Sequence, residues 1–455
     1  MKSNITKAIH SVGRILDVWI PRKIEYDHIP GLSLGITYQG ELLFRRGYGY
    51  ADREKKIKAS PDTCYRVASI TKIFTAIALL QLRERGKLSL DDPVKKFLPW
   101  FKAKSKAGST DRITIRQFLT HSAGIFRDGE ISGWATRKFP KLSDLKRWMT
   151  PQAVVFKNRT RFKYSNFGYA ILGEVIREVS GIPYEEYIAR HIFRKVGMKN
   201  SSLRLEDTNL RNLASGYGVV LPGMKQKKTP HAETNAFVPA GGLITNVTDL
   251  AKLYYVLSPR YAKQYPLLRK ESRREMLRKV WDTGEENRWY GIGLNITKIK
   301  KRKIIGHGGG FPGFITEVSF DFDNEIGVIV LTNSSEGRTR SLTQSIFDAI
   351  RNFTADRKFR ITSSPVNTLR RYEGIYRCHW GEIGIAALPR SLIAFDIENR
   401  QLMKEAAFFI PLRINEFLIE EKNSFGSPGE KAVFQVPKRG GKVHFMYGAT
   451  PFDKI

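Results

Sequence analysis

The chain is predicted to be an α+β protein in two parts: an antiparallel sheet flanked by helices and carrying a helical subdomain, then a small antiparallel β-barrel. Three observations lead there. Strand-like segments open and close the first three quarters of the chain, with helix and loop signals between them. A polar, basic stretch then interrupts the pattern. Beyond it the chain turns to short strands separated by closely spaced turn signals.

Taken in order, residues 32–38 and 41–48 alternate apolar and polar, and Gln39-Gly40 between them reads as a hairpin turn. Residues 70–83 form an apolar run long enough for a buried helix. From about 85 to 260 helices and loops dominate, and Tyr169 to Val179 is an amphipathic helix closed by Gly181 and Pro183. Residues 303–306, 314–320 and 326–332 read as strands and 338–353 as a terminal helix. The first and last strands are expected to share one sheet. Ala355 to Arg371, with Ser363-Ser364-Pro365, reads as a linker. Short strands follow at 374–377, 392–395, 417–419, 432–436 and 443–447. The expected domains are 1–357 and 370–455, with 358–369 between them.

A chain of 455 residues can bury two cores, and 41% hydrophobic with 11% aromatic content excludes a disordered protein. Cys64 and Cys378 are too few for a disulfide framework and read as free thiols of a reducing compartment. Met1 to Ile20 lacks a continuous apolar core, and no apolar stretch approaches the length of a bilayer span. A soluble, cytoplasmic protein without a transmembrane segment is therefore expected. The net charge of +33 favours non-specific association with polyanions. Lysines and arginines are spread along the chain, and the densest run, 298–303, reads as a solvated hairpin. A generally basic surface is expected rather than a dedicated nucleic-acid module. Eight histidines without HxxxH or HExxH spacing give no case for a metal, and no phosphate-binding glycine loop points to a cofactor.

The chemistry begins at Ser69-Ile-Thr-Lys72, which opens the apolar helix. A serine and a lysine at i and i+3 lie on one helical face, so a desolvated amine can activate the hydroxyl. Two further motifs follow in order: Tyr164-Ser165-Asn166, and His307-Gly308-Gly309 on a late strand. The set resembles the serine β-lactamase and penicillin-binding-protein superfamily. The tyrosine points to its class C branch, with D-aminopeptidase, D,D-carboxypeptidase and esterase relatives. Supporting segments are Gly86 to Pro93, Ile113 to Gly124 and Pro239 to Leu243. The C-terminal strands resemble the lipocalin-like domain attached to some members, with Phe425 to Glu430 as the best local match.

What the resemblance implies is acyl transfer on a small peptide or ester substrate, in a protein that could assemble as a homo-oligomer. Ser69 would attack the carbonyl, Lys72 would accept its proton, and Tyr164, expected as an ionisable phenol, would take or relay that proton. Asn166 would hydrogen-bond Lys72. The oxyanion would be held by the N–H of Ser69 and one from the Gly309-Gly310 strand, Gly310 most of all. His307 stands where penicillin-recognising members carry lysine, and Gly308 where they carry a hydroxyl. That substitution argues for the D-aminopeptidase and esterase branch over efficient β-lactam hydrolysis. Asn158-Arg159 replaces the usual Pro-Gly turn before Tyr164. His121 is assigned to structure. Two alternatives stay open: an inactive basic binding protein of the same fold, and a β-lactamase proper.

Overall fold

Gly31–Tyr38 (β1) and Glu41–Asp52 (β2) pair as an antiparallel hairpin. Its turn residues Gln39 and Gly40 both have positive φ, 54° and 86°, the twist that a two-residue hairpin requires. Ile57–Lys58 (β3) extends β2. Later come Trp281–Asp282 (β4), Arg288–Tyr290 (β5), Asn295–Ile299 (β6), Arg302–Phe311 (β7), Phe314–Asp321 (β8) and Ile326–Thr332 (β9). They form one nine-stranded sheet in the order β4-β5-β6-β7-β8-β9-β1-β2-β3. The first and last strands do meet: β1 pairs with β9 from Leu32–Thr332 to Tyr38–Ile326. Every residue of β1 and β9 is buried, as expected of central strands covered on both faces.

The computed structural model describes every residue except 1, 207–211, 356–367, 400, 421–426 and 438–440. The linker expected at 358–369 thus falls almost wholly outside the described residues, as do Phe425 and Gly426. The chain divides into two compact units, Pro30–Thr339 and Met1–Ile29 with Arg340–Ile455.

The first unit holds the sheet and the helical subdomain. Its central helix, Thr71–Glu84, is buried from Thr71 to Leu82. A second helix, Asn166–Ser180, starts at the side-chain cap Ser165 and stops at left-handed Gly181. The second unit contains a closed barrel of eight antiparallel strands: Gly374–Cys378 (β10), Gly381–Ala387 (β11), Leu392–Asp396 (β12), Ala407–Arg413 (β13), Glu416–Glu420 (β14), Lys431–Gln435 (β15), His444–Tyr447 (β16) and Thr450–Lys454 (β17). Three of these, β11, β13 and β17, carry no strand expectation from the sequence.

The same unit contains a helix that sequence reading did not place, Lys2–Tyr26. Its buried residues Ala8, Ile9, Val12, Ile15, Leu16, Trp19 and Ile20 follow a helical spacing. Arg22 near its end grips Glu382 of β11 with two hydrogen bonds of 2.7 Å. That pairing, with help from Arg377, holds the Glu382 carboxyl down to about 2. No helix among the described residues is long and apolar enough to cross a membrane.

Candidate active site

Ser69 sits in the 3-10 turn Ala68–Ile70 that feeds the central helix. Ala68 has a left-handed backbone, φ 45°, and Thr71 Oγ1 donates back to the Ala68 carbonyl at 2.6 Å, closing the turn. Lys72 follows one turn along, fully buried. Its Nζ lies 3.1 Å from Ser69 Oγ, 2.7 Å from Asn166 Oδ1 and 2.7 Å from the carbonyl of Ala240. The Pro239 to Leu243 segment thus contributes a carbonyl to the lysine.

Tyr164 and Asn166 flank Ser165, the cap residue, so one turn presents both side chains. Tyr164 Oη donates to Ser69 Oγ at 2.9 Å. Before Tyr164, Arg159 makes the bend with a left-handed φ of 60°. The loop is then pinned to the Thr120-His121-Ser122 segment: Arg159 N–H donates to the Ser122 carbonyl at 2.8 Å, and Lys163 N–H to the His121 carbonyl at 2.7 Å. His121 is buried and accepts the Ser165 N–H on Nδ1 at 3.1 Å. Its ring lies 4.2 Å from that of Tyr164, centroid to centroid. It shapes the site without touching Ser69.

The strand β7 reaches the serine turn through Gly309. A Cβ there would sit 2.0 Å from the Val67 carbonyl oxygen, so only glycine allows the approach. Gly310, next along, lines the cleft in front of Ser69. His307 stands one layer back. It is buried, does not line the cleft, and hydrogen-bonds Tyr290 Oη through Nε2 at 3.0 Å and the Gly308 carbonyl through Nδ1 at 2.6 Å. Among the expected residues the structure brings together Ser69, Lys72, Tyr164 and Asn166 as one hydrogen-bonded cluster. It brings Gly310 to the cleft and leaves Gly309 and His307 behind it.

Burial dominates the electrostatics. It drives the Lys72 ammonium well below the ordinary lysine range, opposed by Asp128 and aided by Arg127. It lowers His121 well below its usual value, with the Lys72 charge next in importance, and takes His307 to about 3. Both imidazoles are therefore neutral at pH 7. Burial pushes the Tyr164 phenol above its ordinary value, against the Ser69 hydrogen bond and Arg127. The ionisable phenol expected from the sequence is thus corrected: the half-buried ring at the cleft wall keeps its proton in the resting state, because partial desolvation disfavours the phenolate.

Several contributors carry no sequence motif. Asp128 accepts from Asn166 Nδ2 at 2.7 Å and from Trp134 Nε1 at 2.9 Å. It thereby fixes which end of the Asn166 amide faces Lys72. The cleft, about 390 Å³, is walled by Trp134 and Phe162 and edged by Arg127 and the Glu285–Arg288 ion pair. Proximity in sequence to Gly124 hints at Arg127 and Asp128; nothing local marks residues 283–288. Among the described residues no three His, Cys, Asp or Glu converge as a metal site.

The Beta-lactamase family model matches residues 17–350. Protein flp of Staphylococcus aureus strain MW2 is 29% identical over 323 residues, covering 70% of this chain and 62% of that protein. The chain therefore spans less than two thirds of the length of that relative. Penicillin-binding protein 4* of Bacillus subtilis strain 168 is 25% identical over 348 residues, 73% of this chain and 74% of that one. Among solved structures, an octameric penicillin-binding protein homologue from Pyrococcus abyssi aligns with a TM-score of 0.66 at 25% identity, covering 97% of this chain and all of that one.

Proposed function

The chain belongs to the Beta-lactamase family of serine hydrolases, and from that premise we propose that it cleaves small peptides or esters through an acyl ester on Ser69. The activity would be of the D-aminopeptidase, D,D-carboxypeptidase or esterase kind.

The observation that carries this reading is the hydrogen-bond arithmetic around Lys72. A neutral amine has two N–H donors and one lone pair. Asn166 Oδ1 and the Ala240 carbonyl, each at 2.7 Å, take the two donors. The lone pair then faces Ser69 Oγ at 3.1 Å. Ser69 can donate to that lone pair while accepting from Tyr164 on its other side. Attack of Ser69 on a carbonyl would pass its proton to Lys72. The protonated phenol of Tyr164 would give its proton to the leaving group, and the proton that Lys72 took from Ser69 would then return to the phenolate, leaving both groups neutral beside the acyl ester. Water would reverse the sequence to release the acid. The Ser69 and Gly310 N–H groups are the proposed oxyanion donors.

His307, neutral and bonded to Tyr290, is proposed as a positioning residue for β7. A buried neutral imidazole supplies no fixed cation for a β-lactam carboxylate, which supports the peptidase and esterase readings over a β-lactamase proper. The octamer of the Pyrococcus homologue supports a further proposal, that this chain self-assembles.

The test is turnover of a short-chain nitrophenyl ester, a D-alanine nitroanilide and a chromogenic cephalosporin, with Ser69→Ala alongside. Turnover of the ester or anilide that drops about 10⁴-fold or more in the variant is expected. Preference for the cephalosporin would select the β-lactamase. Turnover untouched by the substitution, or turnover of none of the three, would reject the proposal.

A further inference from the structure

The hairpin loop 218–227, between Gly216–Tyr217 and Lys228–Thr229, carries an unusual surface. Val219, Leu221 and Met224 are 51%, 50% and 49% exposed, three large apolar side chains within six residues. The loop is ordered. Gly218 N–H donates to the Lys227 carbonyl at 2.9 Å, Gln226 Nε2 to the Gly218 carbonyl at 2.9 Å, and the tip closes with Met224 N–H on the Leu221 carbonyl at 3.0 Å. The apolar tip is therefore held outward, and its exposure is a property of the fold.

A second hairpin is stapled to the first. Arg53 donates to the Gln226 carbonyl at 3.1 Å, and Lys228 pairs with Asp52 at 2.8 Å. It adds another exposed apolar residue, Ile57, at 52%. Exposed lysines neighbour the apolar groups in sequence: Lys55, Lys56 and Lys58 on one hairpin, the last with its ammonium over the Tyr50 ring at 3.9 Å, and Lys225 and Lys227 on the other. None of these five forms an ion pair among the described residues. The acids of this face, Asp52, Glu54 and Glu336, are engaged by Lys228, Arg53 and the Val220 N–H.

We propose that these two hairpins dock the protein on a bilayer surface rich in anionic headgroups, the apolar tip entering the interface and the five lysines meeting the phosphates. Apolar side chains flanked by lysine fit the boundary between acyl chains and headgroups. A nucleic acid would satisfy the lysines and leave Val219, Leu221 and Met224 in water. A symmetric contact of two copies through this face would set its five lysines against the same five of the other copy, so self-assembly would use another face. The loop also adjoins the active-site strand: Tyr217 N–H donates to the Gly313 carbonyl at 3.3 Å, three residues past Gly310. A docked loop would hold the end of β7 close to the lipid surface.

Flotation of the full chain with vesicles tests this. Vesicles of phosphatidylcholine alone are compared with vesicles containing equal parts phosphatidylglycerol, at low and physiological salt. Binding should be about tenfold or more tighter on the anionic vesicles. The double variants Leu221→Ser/Met224→Ser and Lys225→Glu/Lys227→Glu should each weaken it about tenfold or more, with unchanged melting temperatures because the side chains are exposed. The proposal falls if the wild type does not float with anionic vesicles. It falls equally if Leu221→Ser/Met224→Ser floats like the wild type, which would leave only a diffuse basic surface. Loss of duplex DNA binding in Lys225→Glu/Lys227→Glu, with flotation retained by Leu221→Ser/Met224→Ser, would assign the loop to nucleic acid instead and overturn the proposal.

Discussion

The cleft around Ser69 presents one tyrosine among mostly polar and charged residues, the barrel interior packs tyrosines among phenylalanines, and the two put the phenol to opposite uses. In the barrel Phe434 stacks on Phe445 at 4.8 Å and Phe445 on Phe452 at 5.1 Å. The tyrosines there spend their hydroxyls on structure: Tyr376 Oη donates to the Tyr372 carbonyl at 2.8 Å, and Tyr372 Oη to Asn415 Oδ1 at 2.7 Å. In the cleft Tyr164 spends its hydroxyl on a serine that has reason to react. Burial raises the Tyr164 and Tyr376 phenols alike. What separates Tyr164 from a core tyrosine here is the partner of its oxygen, because desolvation alone raises both phenols.

The comparison breaks most sharply at Tyr164. Tyr164→Phe keeps the ring and removes the relay, so kcat should fall by about 10²–10⁴-fold with the melting temperature nearly unchanged. Stopped turnover with retained substrate binding is the measurement. In the barrel the converse holds. Phe434→Ala should cost about 3–5 kcal/mol of stability through lost packing and a cavity, seen by calorimetry on the full chain, with kcat/KM left roughly as in the parent.

A finer test concerns Asp128. The charged groups bearing on Lys72 are Asp128 and Arg127, with neutral His121 and His307 close by. The proposed mechanism requires neutral Lys72, so kcat/KM should rise with pH through the lysine's pKa. Asp128 raises that pKa; Asp128→Asn removes the charge, and the acid limb should move to lower pH. The orienting bond to Asn166 would weaken at the same time, lowering the plateau about tenfold. A lower plateau with an unmoved limb would mean that Asp128 acts through structure only.

Sequence reading reached Ser69, Lys72, Tyr164 and Asn166 through three short motifs in order and the family they resemble; each pair is local, set by a helical turn in one case and a helix cap in the other, so short motifs could carry it. It also placed five of the nine sheet strands, β1, β2, β7, β8 and β9, whose apolar patterns and turn residues are local signals, and missed β3 to β6, which are two to five residues long. It could not see that His307 faces Tyr290, since a strand's register against its neighbours decides which way a residue points. Asp128, Trp134 and the Glu285–Arg288 pair arrive from separate segments by tertiary packing and leave no spacing to read. The helix Lys2–Tyr26 was legible in its i, i+3, i+4 apolar spacing but was obscured by Pro21, lysines and the absence of a continuous hydrophobic run. Strands β11, β13 and β17 were hidden by glycine, proline and charge, residues that ordinarily punctuate strands.

Ala68 places its methyl in a backbone conformation that glycine adopts freely and alanine resists by about 1 kcal/mol or more. A chain under selection for durability alone would exchange that methyl for hydrogen and gain a more relaxed turn. The same exchange would let the residue before the nucleophile wander, and Ser69 with it. Attempts to thermostabilise this protein by relieving unfavourable backbone angles should therefore spare position 68, where rigidity at the Ser69 hydroxyl and comfort of the main chain pull in opposite directions.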